Sequence, residues 1–443
     1  MIFSSVEFLI FFLIFLVLLK FLRNYQNILI IFLSLFFYSF WDAKFTILIL
    51  YLLFTTYFFI KRSINLKISI VLILLPLFYF KYSIFFFELI GLNHPENFAY
   101  SGNLPLGISF ISFTCLAAII DVKSKNFDFD KIELNSFSQF ILYFPQLIAG
   151  PILRLKDLIH VFNDKIVFEN SNIKFGIFLF LIGFIKKIYF ADNIGSYIDP
   201  IFSNINNVDS VELHKAFLLF PIQIYFDFSG YVDMALGISN CLSIKLPINF
   251  NKPYLTNSIT EFWRCWHITL SKWFRDYIYI PLGGSKKGSL KRNFNLLLTM
   301  SIAGLWHGAS LNFLLWGLLN GIFLSIEKYF DFFNKKSFLR VILNCFLIFN
   351  LWIIFRIQDF NQIFNFFKIL YTNSLLFFHY SNLIVLMITF IFIFLQKFED
   401  IHKIKNFAQK MSYSYLLPFF TVIVLIGFAM NAGQSDKFIY FDF

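Results

Sequence analysis

The sequence predicts an all-α, polytopic integral membrane protein, and three observations carry that reading. Of 443 residues, 58% are apolar and only 14% are charged, a balance foreign to soluble domains. Apolar runs recur along the whole chain, each approaching the roughly 20 residues that cross a bilayer as helix. Lys and Arg collect in the short loops between those runs. The net charge of +11 therefore records membrane topology, and nucleic acid is not an expected partner. About eleven transmembrane helices are expected. Neither a repeat of fixed period nor a Ser/Gly/Pro linker interrupts them, so residues 1–443 read as one integral domain.

The first run, MIFSSVEFLIFFLIFLVLLKFLRN, is too long for a signal-peptide core and lacks a small-residue cleavage site, so it reads as the first span. Lys20 and Arg23 follow it and no cation precedes it, which puts the amino terminus outside and the loop at 20–26 in the cytoplasm. Runs at 27–41 and 45–60 lead to the basic KRSINLK at 61–67. A span at 68–80, an amphipathic segment and outer loop at 81–103 and a return at 104–121 come next. The mixed-charge loop KSKNFDFDKIE, 123–133, reads as a solvated connection. Gly150 and Pro151 inside YFPQLIAGPILRLKD suit either a re-entrant, broken helix or a packed kink. Further helices are expected near 173–190, 212–226, 229–243, 294–304, 309–326, 338–355, 375–395 and 413–430. The four lysines within QKFEDIHKIKNFAQK place that loop in the cytoplasm.

The 69 phenylalanines accompany abundant Ile, Asn and Lys, as AT-rich codons would produce, and are not a binding signal. Cys115, Cys241, Cys265 and Cys345 lack metal-site or disulfide spacing, so no metal is expected.

One stretch departs from the lipid-like background: ITEFWRCWHITLSKWFRDYIYIPLGG, at 259–284. Ser258 and Glu261 form a capping-box pattern, predicting a helix from there to Pro281. At helical spacing Trp263, Trp266, Leu270, Trp273 and Tyr277 share one face, and Thr260, Arg264, His267, Ser271 and Arg275 an adjacent one. A tryptophan stripe beside a cationic stripe suits a helix lying at the membrane interface, with or without chemistry of its own. A second departure is LWHG at 305–308, which sets His307 in an apolar stretch. An ionisable group there is expensive to bury and marks a functional site facing a cavity, or else a histidine satisfied by a backbone carbonyl. In the third, YFDFSGYVDMALG, Asp227, Ser229 and Asp233 surround Gly230 and could orient a histidine or cap a helix.

Taken together, FPQLIAGPILR, YFDFSGYVDMALG, NFNKPYLTNSITEFWRCWHITLSKWFRDYIYIPLGG and LWHGASLNFLLWG resemble the membrane-bound O-acyltransferase family. The similarity is to its bacterial branch of alginate and peptidoglycan O-acetyltransferases and teichoic-acid D-alanyl transferases. It spans nearly the whole chain and is densest at 225–320. It implies a ring of helices around a central funnel, a catalytic role for His307, and a second family histidine at His267. Gln146 stands where alginate-type members have histidine. The implied activity is transfer of an acetyl group from a cytoplasmic donor, acetyl-CoA, to an exported polysaccharide, with peptidoglycan favoured over alginate. A bacterial inner-membrane location and a periplasmic SGNH-type esterase-like partner follow from the same resemblance, and no bound cofactor is expected.

Acyl transfer from a thioester to an alcohol needs a base for the hydroxyl proton and a donor for the developing oxyanion. His307, held neutral by an apolar site, meets the first need. His267, Asn251 or the Trp306 indole could meet the second. Arg264 and Arg275 are expected to collect the anionic donor, with Trp266 seating the helix. A covalent relay on Cys265 or Ser271 lacks a base at fixed spacing. The competing reading is a transporter or flippase in which His307 and Asp227 relay protons, although the paired, symmetric halves typical of that class are missing. A non-catalytic scaffold for a periplasmic partner is the third.

Overall fold

The computed structural model describes residues 1–92, 104–124, 129, 132–148, 150–162, 166–329 and 337–430. The outer-loop expectation at 93–103 and most of the charged loop at 123–133 lie outside the described residues. Every regular element among those described is helical. The chain divides into two compact units. The first takes Met1–Ile182, Tyr231–Pro247 and the segment from Ala408; the second takes Gly183–Gly230 and Ile248–Phe407.

Five helices among the described residues are long and apolar enough to cross a membrane: Lys44–Lys61, Leu66–Leu89, Phe338–Arg356, Tyr380–Phe398 and Tyr413–Met430. These five are fewer than the eleven helices expected from apolar runs. Val6–Phe21 and Gln26–Ser39, which coincide with two of the expected runs, are shorter, at 16 and 14 residues.

In the first unit, the helix Leu134–Leu142 stops at Tyr143, whose ψ of 105° leaves helical space, and only the short turn Phe144–Leu147 follows. Residues 151–154 carry no regular structure, and Arg154 is extended where it opens Leu155–Leu158. The break is real and not a mere kink. Tyr143, Phe144, Gln146 and Leu147 are all buried, and the Gln146 amide donates to the Phe140 carbonyl at 2.5 Å. Non-helical backbone is thus enclosed in protein, where its polar groups can be paired.

Where two helices were expected at 212–226 and 229–243, one continuous helix of 32 residues runs from Ser210 to Cys241. Gly230 does not break it. A Cβ there would lie 2.8 Å from the Gly183 carbonyl oxygen, and one on Gly237 would lie 2.6 Å from the Phe180 amide. These glycines allow close approach of the neighbouring helix, which is Asn170–Phe184 continued by the π-helical turn Ile185–Ala191. The lost Cβ contacts are exchanged for backbone-to-backbone packing. Ser229 and Asp233, being mid-helix, cap nothing.

Candidate active site

The candidate site lies within the second unit. The stretch 258–281 begins as the capping pattern predicts: the Ser258 hydroxyl accepts from the Glu261 amide at 3.1 Å. Glu261 reaches back one residue further than a simple capping box, to the Asn257 amide at 2.9 Å. Glu327 also accepts from the Thr260 amide and hydroxyl, at 2.9 and 3.1 Å. Two carboxylates therefore stand at this helix's positive end.

The single helix expected to Pro281 is instead broken. Ile259–Cys265 ends at Trp266, and His267 takes a left-handed conformation, φ +41°, before Ile268–Phe274 resumes. What holds this strained turn is Asn249, a residue the sequence reading passed over in favour of Asn251. Its side-chain oxygen accepts from the Thr269 amide and hydroxyl, both at 3.0 Å, and lies 3.3 Å from His267 Nδ1. Its backbone carbonyl accepts from the Ile268 amide at 3.0 Å. Asn251 is exposed, and its amide N–H donates to the Cys265 carbonyl at 2.9 Å.

Breaking the helix turns the tryptophan stripe inward, correcting the picture of indoles resting in a membrane interface. Trp266 is 1% exposed, stacked on Phe262 and 4.8 Å from Trp352. Trp263 donates to the Asn320 side-chain oxygen at 3.1 Å. His267 is completely buried against Phe228. It lies outside the candidate spans, and burial pushes its pKa down to about 3, so the ring is neutral at physiological pH.

His307 ends the helix Gly288–His307; Gly308 is extended and Ser310 opens Leu311–Glu327. Glycines weld this hairpin. A Cβ on Gly317 would collide with the Met300 carbonyl oxygen, and one on Gly304 with that of Phe313. Such contact brings Trp316 beside His307, ring centroids 5.3 Å apart, with Phe355 at 5.2 Å. Trp306 stands against both histidines, 5.0 Å from His307 and 6.3 Å from His267.

A cavity of about 410 Å³ joins the buried His307 to exposed Arg264, Lys272, Arg275 and Lys328. Leu296, Thr299, Met300, Ala303 and His307 line it at helical spacing, so it follows one helix face for about 16 Å. Cations stand where it meets solvent and aromatic rings where it ends. Arg275 is paired with Asp276 at 2.6 Å. Burial, and then the charges of Arg292 and Arg264, lower the proton affinity of Lys328 against the opposing pull of Glu327. An added anion would relieve that crowding. Lys272, Lys328 and Trp316 are cavity residues that the sequence reading missed. Trp316 sits nine residues past His307 and on the next helix, and Lys328 lies 64 residues after Arg264 in sequence, so no local pattern joined them.

The cavity thus gathers His307, Arg264 and Arg275, while His267, Trp266, Trp306 and Asn251 are not among its walls. Asp227 serves elsewhere. It is buried and paired at 2.7 Å with Lys187, which also holds Asp192 at 2.7 Å. Ser271 lines the cavity and donates to the Trp266 carbonyl at 3.3 Å. Cys265 is half-buried, with its thiol pKa raised by burial and by Glu261.

Comparison with known proteins adds to this geometry. Residues 28–364 match the model of the family described as MBOAT, membrane-bound O-acyltransferase family. A peptidoglycan O-acetyltransferase of Helicobacter pylori is 35% identical over 370 residues, covering 74% of this chain and 70% of that protein. A probable alginate O-acetylase of Pseudomonas fluorescens is 41% identical over 261 residues, 58% of this chain and about half, 52%, of the relative. A teichoic acid D-alanyltransferase of Bacillus subtilis is 30% identical over 265 residues, covering 55% of this chain and 65% of that protein.

Proposed function

Because the chain belongs to the membrane-bound O-acyltransferase family, we propose that it passes an acetyl group from a cytoplasmic donor, acetyl-CoA, across the bacterial inner membrane for O-acetylation of an exported polysaccharide. Peptidoglycan is the favoured acceptor and alginate the next, and a periplasmic SGNH-type protein is the expected partner. The observation that carries the reading is the cavity linking four exposed cations to a buried histidine. Cations suit the phosphates of a CoA thioester, and the apolar length of the channel suits its uncharged arm. Only the acyl end need travel inward, since a polyanion crosses hydrocarbon at great cost.

At the inner end, His307 removes the proton from the acceptor hydroxyl as its oxygen attacks the thioester carbonyl. The C–S bond then breaks, the acyl C–O bond remains, and the proton returns to the leaving thiolate. The aromatic walls exclude water that would otherwise take the acyl group.

Replacing Arg264 and Arg275 together by Gln should raise the apparent KM for acetyl-CoA in membrane vesicles by about tenfold, in keeping with loss of charge-assisted hydrogen bonds. The KM for acceptor should move little. An unchanged donor KM with a weakened acceptor response would reverse this assignment of the cationic end.

Sidedness gives a further test. Ser289 and His307 lie near opposite ends of the helix Gly288–His307, separated by about 27 Å. In a background lacking the four native cysteines, Ser310→Cys should react with a small membrane-impermeant thiol reagent added outside spheroplasts, and Ser289→Cys should not. The opposite labelling pattern would reject an extracytoplasmic acceptor at His307.

A further inference from the structure

The first unit holds a second cavity, about 510 Å³ in volume, within the range of ligand-binding sites. Its walls are apolar: Leu9, Leu13 and Leu16 of the helix Val6–Phe21, Ile173 and Phe180 of Asn170–Phe184, and Leu417 of Tyr413–Met430. Two cations, Lys20 and Arg23, complete the lining. Lys20 lies in the last turn of its helix and Arg23 in the 3-10 turn after it, so both charges gather at one end of the Leu9–Leu16 face.

We propose that this groove binds one anionic phospholipid, with an acyl chain along the apolar wall and the phosphate between Lys20 and Arg23. The groove opens to hydrocarbon. Leu13 is 64% and Leu417 48% exposed, and only 17% of the span Tyr413–Met430 is buried within the protein. A chain-shaped apolar occupant can therefore enter from the side without crossing a polar barrier.

Charge decides the headgroup. Among the described residues neither Lys20 nor Arg23 has a carboxylate partner. Glu169, adjacent in sequence to the lining residues Phe168 and Asn170, is engaged by the Asn172 amide at 2.8 Å. Glu7 stands in the first turn of the same helix, about 20 Å from Lys20. A zwitterionic head would set a second cation against these two, whereas a phosphatidylglycerol phosphate meets them uncompensated. Free phosphate would satisfy the cations but leave the apolar wall uncovered.

Native mass spectrometry of purified protein, delipidated and then offered equal phosphatidylglycerol and phosphatidylcholine, tests the proposal. Wild type should retain one phosphatidylglycerol with about tenfold preference. Lys20→Gln with Arg23→Gln should bring the preference to about one while melting within a few degrees of wild type. Ile177, between Ile173 and Phe180, also lines the groove; Ile177→Trp, which fills it and keeps both cations, should lose retention of either lipid, and added inorganic phosphate should not displace the phospholipid from wild type. Equal retention of the two lipids by wild type, an undiminished preference in the double variant, or full retention by Ile177→Trp would each overturn it. Should the double variant not accumulate, the last of these still decides.

Discussion

His307→Ala should lower polysaccharide O-acetylation by about 10²–10⁴-fold, the range general bases contribute, while the protein still inserts and accumulates. The imidazole ends a cavity, so its removal enlarges a space already present; the lost contacts with Trp316 and Phe355 should cost about 1–3 kcal/mol. His307→Gln separates these effects, since it restores volume and a hydrogen-bonding group but supplies no base. Ester content of isolated polysaccharide, measured in cells whose only copy is the variant, is the readout. Wild-type ester levels with either substitution would remove His307 from the chemistry. A transporter reading needs Asp227 as the proton-relay partner of His307, and that carboxylate is paired with Lys187.

Lys187→Ala should be the most damaging substitution to stability. Lys187, Asp192 and Asp227 are each about 4% exposed at the side chain, with both ion pairs at 2.7 Å. Removing the cation strands two buried carboxylates, and breaking a buried pair in this way costs about 3–5 kcal/mol. Greatly reduced accumulation and a lowered melting temperature in detergent should follow. Replacing all three groups at once, by Lys187→Met, Asp192→Leu and Asp227→Leu, should recover most of the loss, since an apolar triad leaves no charge to solvate. Failure of Lys187→Ala to alter melting would mean that water reaches the triad.

Much of this was legible in the sequence because it depends on local pattern. The Ser258 cap, the helix ends around 338–356 and 413–430, and the isolation of His307 all follow from residues near one another in the chain. What was hidden depends on distant partners. Gly230 lies inside an expected helix without any local sign of its role, and becomes a contact surface once Gly183 is opposite. Trp266 reads as an interfacial anchor until the left-handed His267 turns it toward Trp352. Asn249 and Asn251 are two residues apart and chemically identical, and only the backbone path decides which is buried beneath His267. Asp227 stands out in the sequence as a carboxylate in an apolar context, but its partner is neither a histidine nor a helix end: it is Lys187, a lysine inside an apolar run. The cationic end of the cavity was half visible: Arg264 and Arg275 share a local stretch with Lys272, whereas Lys328 arrives from another helix.

The order in which the chain visits its two units has a consequence for biogenesis. Residues enter the first unit, leave at Gly183, return at Tyr231, leave again after Pro247 and come back at Ala408. The crossing at Gly230 falls inside one unbroken helix, Ser210–Cys241. By a ribosome working from the amino terminus, the second unit cannot be finished before Phe407 has emerged, nor the first before the segment from Ala408, in contrast to chains whose domains mature one after another. Insertion must hold the early helices of the first unit in a partly assembled state until Tyr413–Met430 arrives. A chain cut near residue 407 would leave the second unit on one fragment and part the first from the segment it takes back at Ala408, and gene fission at any of these crossings would have to be repaired by reassembly in the membrane.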